Sequence, residues 1–250
     1  MFELLAILGA LAWSAPIVVP WLYKRIIKPK LIIITHNVIE IGYTTFGPIV
    51  NINMSFLSEN KEALIKAIKI NLRHENNETH IFEWEWFEES LGQMDMGTTG
   101  IYSQTKNQKA VALRVKENDI VERKIGFQNS DFKIKYNDLI NRTNEAQYRL
   151  QRADKDLSLI VDDVSYNDLQ DHLKNSFFWN LGMYTIDVEI FLLGISERAK
   201  HSISFRLSNY DKVRLESNIE YCKNFIENSY VTLDPKYSEI WNWVYSYEVD

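Results

Sequence analysis

The chain has 250 residues, 46% hydrophobic and 25% charged, with only 9 Gly and 5 Pro. These proportions fit a globular protein and argue against long disordered linkers. A net charge of −6 argues against a nucleic-acid partner, and the single cysteine, Cys222, excludes an intrachain disulfide.

The chain opens on an almost uninterrupted apolar run, Phe2 to Tyr23, whose only charge is Glu3. A helix needs about 20 apolar residues to cross the hydrocarbon layer, so residues 1–25 are expected to form a single-pass transmembrane anchor. Leu4 and Trp13 fall within the span. Trp21 and Tyr23 fall where it would meet the headgroups, and Lys24, Arg25, Lys28 and Lys30 follow as a cationic collar. Basic residues stay on the cytoplasmic side, so residues 26–250 are expected to be a soluble domain facing the cytoplasm, with the cell membrane as first partner. A cleaved secretory signal would need a basic segment before the apolar run, and none is present. Pro16 and Pro20 are tolerated in a membrane span more readily than in a soluble helix.

Residues 31–57 read as strands, punctuated by Gly42 and by Gly47-Pro48. Two amphipathic hairpins follow the same logic. In the first, over residues 64–89, Ile68, Ile70 and Leu72 alternate with Lys69, Asn71 and Arg73, while Phe82, Trp84 and Trp86 alternate with Glu83 and Glu85. Pairing Leu72 with Phe82 and Ile70 with Trp84 puts the apolar residues on one face. It requires a loop of three or five residues, with Asn76 or Asn77 at positive φ. In the second, over residues 183–208, Val188 is expected to face Leu207, and Ile190 to face Phe205. Residues 90–108 are polar and read as a loop, and Ala110–Val115 as a further strand. Two independent hairpins with apolar inner faces predict a mainly β fold with helical additions (α+β). The expected arrangement is an immunoglobulin-like antiparallel β-sandwich behind the transmembrane helix.

A helical segment is expected over about residues 134–180. Leu139, Thr143, Ala146, Leu150, Ala153, Leu157, Ile160 and Val164 recur at alternating spacings of four and three, a heptad seam on one long helix. The seam can pack on the domain, on a second helix at 167–178, or on another copy of the chain. A further helix is expected at 211–228, with Leu215, Ile219, Cys222 and Ile226 on one face. Asp234-Pro235 is a helix start signal, yet Trp241, Trp243, Tyr245 and Tyr247 alternate, so helix and strand both stay open there.

Few residues suggest chemistry. In the register above His74 lies opposite His80. Two imidazoles fall short of the three or four ligands of a zinc site, so they are weak metal candidates and paired rim histidines are expected. Cys222 sits on an apolar helix face, which suits a structural thiol better than a nucleophile. Glu83 and Glu85 beside Trp84 and Trp86 look like general acid–base groups, but their cross-strand neighbours are basic or polar. No phosphate loop, dinucleotide fingerprint, serine elbow or zinc-protease helix occurs. No cofactor is therefore expected. Seven Trp and thirteen Tyr are many for this length, and the tail around Trp241 and Trp243 has more ring surface than one helix face buries. With the seam residues Leu139, Ala146, Leu150, Ala153 and Leu157, that tail is the candidate interaction surface. The expectation is a non-catalytic, membrane-anchored interaction or scaffold module, binding a protein partner or itself. The alternatives are an exported binding or adhesion module with reversed topology, and an enzyme whose site is assembled from distant residues.

Overall fold

The computed structural model describes residues 26–95, 101–196 and 198–249, together with Pro16 and Val18. The expected anchor, including Leu4, Trp13, Trp21, Tyr23, Lys24 and Arg25, lies outside the described residues apart from Pro16 and Val18. Among the described residues no helix is long and apolar enough to cross a membrane.

The fold is mainly β with helices. Ten strands belong to one antiparallel sheet: β1 (Lys30–Thr44), β2 (Gly47–Glu59), β3 (Ala63–His74), β4 (Thr79–Asp95), β5 (Ile101–Lys109), β6 (Leu113–Val115), β7 (Ile120–Asn129), β8 (Gly182–Leu192), β9 (Arg198–Leu207) and β10 (Val244–Tyr247). Eight of them follow the order β10-β1-β2-β7-β4-β3-β8-β9, while β5 hangs on β4 and β6 on β3. The two ends of this path nearly meet. Phe205 bridges Glu248, Val249 N donates to Ser204 O at 2.8 Å, and Ser246 Oγ donates to Arg206 O at 2.9 Å. The sheet is therefore a nearly closed barrel, a geometry that leaves few exposed edges.

The expected pair of facing sheets is thus replaced by one sheet. The two hairpins are neighbours through β3 and β8, where Ile70 faces Val188 and Leu72 faces Ile186. Each hairpin keeps the predicted faces but slips by an even number of residues. Ile70 faces Phe82 and Leu72 faces His80; in the second hairpin Tyr184 faces Phe205 and Ile186 faces Ile203. The first hairpin's loop is the three-residue one, with Asn77 at φ 70. In the second, the pairing extends back to Arg198, because Arg198 and Lys200 both reach Glu189 across the ladder.

Three further expectations are corrected. Gly42 does not punctuate; it lies inside β1. Residues 90–95 and 101–108 are strand rather than loop, since β4 and β5 pair from Trp86–Lys109 out to Asp95–Ile101 and run beyond the pairing of β4 with β7 as a two-stranded arm. Such an arm needs no apolar face, so its polar sequence hides it. Trp86 also leaves the face of Phe82 and Trp84. The pairing of β4 with β7 shifts between Trp84 and Trp86, a bulge at Glu85 that turns Trp86 onto the outer wall.

Among the described residues four α-helices of eight residues or more lie between the strands: α1 (Ser130–Arg152), α2 (Val164–Asn175), α3 (Asn209–Glu216) and α4 (Asn218–Glu227). The long heptad helix is interrupted. Asp154 takes φ 51, a short 3-10 turn covers Leu157–Asp162, and α2 folds back on α1. Thr143 Oγ1 donates to Ser165 O at 3.1 Å where the small seam residues let the helices approach. Arg142–Asp168 and Arg149–Asp163 tie the pair at 3.3 and 3.4 Å. Asn129 caps α1, Asp163 caps α2, and Ser208 with Asp211 forms a capping box at α3. Residues 237–243 have no regular structure and lead into β10, so the strand reading of the tail holds from Val244.

These four helices are inserted at one end of the barrel. They follow β7 and β9 or precede β8, on the side of the β1–β2 turn. Lys30, the β2–β3 turn and the β8–β9 turn share the opposite end. Trp179, fully buried after α2, packs on Phe82, Phe178 and Tyr184 and donates from Nε1 to Gly42 O at 3.2 Å. Tyr43 donates to Leu173 O beside it. This segment plugs the helical mouth of a barrel already filled by Ile39, Ile41, Val50, Ile52, Ile68, Ile70, Val188 and Phe205.

Candidate functional site

The outer wall of a filled barrel is ordinarily polar. Here part of it is covered by aromatic rings, and two glycines explain why. Gly126 lies opposite Trp86, and a Cβ built on it would sit 2.0 Å from the indole. Gly42 lies under Trp243, where a Cβ would sit 2.3 Å from the ring. Glycine inside a strand commonly marks such a close approach. The two indoles therefore lie almost flat on the sheet, on either side of β2, whose Ile49 and Asn51 lie between Gly126 and Gly42 in the ladder.

Trp86, Trp241 and Trp243, with Phe46, Tyr136 and Phe225, line a groove of about 740 Å3 floored by Ile49 and Gln128. That volume falls in the range of specific binding pockets, and the mix of rings with a few polar groups is typical of them. Phe46, on the β1–β2 turn, is 57% exposed. Asn107, Gln108, Lys109 and Asn137 stand along the groove. Some of its polar groups are already engaged. Glu85 pairs with Lys133, Gln108 donates to Glu89, and Gln128 Nε2 donates to Phe46 O at 2.8 Å. Along the adjoining row of the wall, Glu40 accepts from Asn51 at 2.9 Å and from Tyr245 at 3.1 Å, and pairs with Lys124. The indole N–H groups of Trp86, Trp241 and Trp243 are different: none donates to an acceptor among the described residues, and none is a buried orphan.

The predicted site residues are scattered. Leu139 and Ala146 are buried in the core, and Leu150 packs partly against it. Leu157 is half-buried and Ala153 is exposed at the end of α1, so no continuous seam reaches the surface. Trp241 and Trp243 do meet, in the groove. His74 does not face His80. Its Nε2 donates to Leu181 O at 3.0 Å and its ring sits tilted against Tyr184, while His80 lies flat against Phe178 at 3.6 Å. Among the described residues no group of three or more His, Cys, Asp or Glu is placed to hold a metal. Burial lowers the His80 pKa against the opposing pull of Glu78. Cys222 is buried, and burial pushes its thiol far up, so no thiolate forms there near neutral pH. Glu83 pairs with Lys69 and Glu85 with Lys133, which uses both as surface ion-pair partners.

Phe46, Tyr136, Phe225 and the outward Trp86 were not legible as site residues. The signal that could have found them is the pair Gly42 and Gly126 inside strand patterns, each calling for something close overhead.

No protein-family model matches this sequence, and no curated protein sequence matches it. Among solved structures, the chain is similar to part of a family 123 glycoside hydrolase from Clostridium perfringens, whose structure was described for glycolipid glycan hydrolysis. The identity is 8% and the TM-score 0.35, over 73% of this chain and 28% of that one. A likeness that faint carries no argument about fold or function.

Proposed function

We propose that this chain is a membrane-anchored, non-catalytic interaction module whose contact surface is the aromatic groove on the barrel wall. The carrying observation is that three half-buried indoles converge on a rigid sheet with their N–H groups unused. Tryptophans held this way are the usual energetic centre of protein contacts. Two features support tethering. The apolar run and its basic collar precede β1, and β1 enters the barrel at the end opposite the helices and the β1–β2 turn that borders the groove. A span entering there leaves the groove facing away from the bilayer. Tethering raises local concentration, so modest contacts suffice.

Two measurements test this reading. A protease applied to intact cells is expected to spare a tag at the C-terminus; cleavage of that tag would make the domain an exported module instead. The full chain in mild detergent is expected to associate with a partner or with itself through the groove. Association that persists unchanged in Trp243→Ala, with the fold retained, would remove the groove from the function.

A further inference from the structure

The outer wall has a second apolar area, at the end where β1 enters. Along the lower halves of β1, β2 and β7, Ile33, Phe56 and Val121 turn inward to the core. The period of two therefore turns Ile32, Ile34, Leu57 and Ile120 outward. The ladder sets them side by side: Ile32 faces Leu57, Leu57 faces Ile120, and Ile34 stands two residues further along β1. Ile34 is 58% and Ile120 60% exposed, and none of the four is aromatic or Arg, the residues that centre protein contacts. Toward the helical end the same wall turns polar, where His36, Asn53, Ser55, Glu122 and Lys124 line a depression. Toward the base, Lys30 pairs with Glu59 at 2.9 Å, so the charges bordering the patch there compensate each other.

We infer that this aliphatic patch seats on the hydrocarbon boundary of the bilayer. The inference rests on the anchored reading above and adds how the domain lies on the membrane. Tyr23, the last residue of the apolar run, is seven Cα–Cα steps before Lys30, which holds the base of the barrel within about 25 Å of the span. Ile32 and Ile34 follow within about 14 Å of Lys30 along the strand. A tilt toward the β1–β2–β7 wall brings the four side chains to the lipid. The Lys30 stem then lies along the patch with its ammonium among the headgroups. The polar stretch above meets headgroups as well, and the helical end with its groove stays raised. Interfacial elements sink their apolar side about 5–10 Å, the height of two ladder rows. A second copy of the chain fits this patch poorly, because four aliphatic side chains fall well short of the about 800 Å2 per partner that a stable interface buries.

The test uses the full-length chain in phosphatidylcholine vesicles, with a nitrobenzoxadiazole label on Ile34→Cys or on Ile120→Cys. Cys222 is buried, so the introduced thiol takes the label. Both sites point outward, and the thermal midpoint is expected to match that of the parent chain. Doxyl-labelled lipid is expected to quench the label at 34 and at 120 several-fold more strongly than a label on Tyr210→Cys, 72% exposed on α3 at the helical end. Adding Ile120→Asp to the Ile34→Cys chain is expected to remove most of that quenching at an unchanged midpoint. Equal quenching at all three sites, quenching untouched by Ile120→Asp, or labels left in water on a chain that floats with the vesicles would overturn the patch and leave the anchor standing. Blue-shifted emission at 34 and 120 without lipid quenching means that protein covers the patch, either a second copy or the chain's own apolar run, and overturns it too. A chain that does not float with the vesicles overturns the anchor and the patch together.

Discussion

The inner and outer faces of the barrel wall solve the same problem, burying ring and aliphatic surface, by opposite means. Inside, large side chains point at one another: Ile39, Ile52, Ile70 and Phe205 fill the lumen and Trp179 seals its mouth. Outside, on the same strands, side chains are removed at Gly42 and Gly126 so that indoles from remote segments can lie on bare backbone. The inner face is complementary to itself and finished. The outer face is covered on one side only, so its rings keep an open surface and unused N–H groups. Burial on the two faces differs in what lies on the far side of the ring.

That contrast can be broken from either side. Trp179→Ala strikes the inner face, where the ring is fully buried and its N–H is bonded to Gly42 O. Large-to-small changes of this kind cost about 3–5 kcal/mol, so chemical denaturation should show the largest loss here, together with loss of groove binding. Gly126→Ala strikes the outer face. The added methyl would collide with the Trp86 indole, and overpacking costs about 1–3 kcal/mol. The expected signature is a smaller drop in stability with a red-shifted tryptophan emission, as Trp86 lifts off the wall. An unchanged emission spectrum would mean that Trp86 is not seated on that glycine.

The gentlest perturbation is pH. Burial lowers the pKa of both His80, against Phe178, and His172, against Phe132, at the helical end of the barrel. A histidine whose folded pKa lies below its unfolded value binds its proton more readily when unfolded. Its contribution is therefore complete above about pH 6.5 and declines as pH falls toward the folded pKa. Urea midpoints should fall between pH 7 and 5, and the double variant His80→Gln with His172→Gln should flatten that slope. The carboxylates of Asp156 and Asp163, held low by bonds from Ser158 and Ser165, act only at lower pH and do not interfere in this window.

Much of the inner face was legible. The alternation around Ile70 and Ile186 assigned each side chain to its face correctly, because period two distinguishes inside from outside. It does not distinguish one even slip from another, so both hairpin registers were misplaced while their faces survived. The closure of eight strands into one sheet was not legible, since it depends on the β3–β8 pairing between segments more than a hundred residues apart. β7 escaped notice because its lower half, with Glu122, Arg123 and Lys124, reads as surface. The heptad seam was real as far as Ala146, and Asp154 at positive φ ended what the pattern continued. The candidate site was half visible. Trp241 and Trp243 stood out as excess ring surface. Trp86 was hidden by a bulge that leaves the alternation of its neighbours unbroken, and Tyr136 and Phe225 sit on separate helices that only tertiary folding brings together.

The stave that closes the barrel, β10, is made after the other nine described strands, yet its ladder partner is β1, the first of them. During synthesis the nascent wall must wait, with β1 and β9 both presenting raw margins to any passing strand, until residues 244–249 emerge from the ribosome. A transcript cut short before Val244 should therefore yield not a smaller version of this molecule but a sticky one, recognisable by chaperone capture and by aggregation.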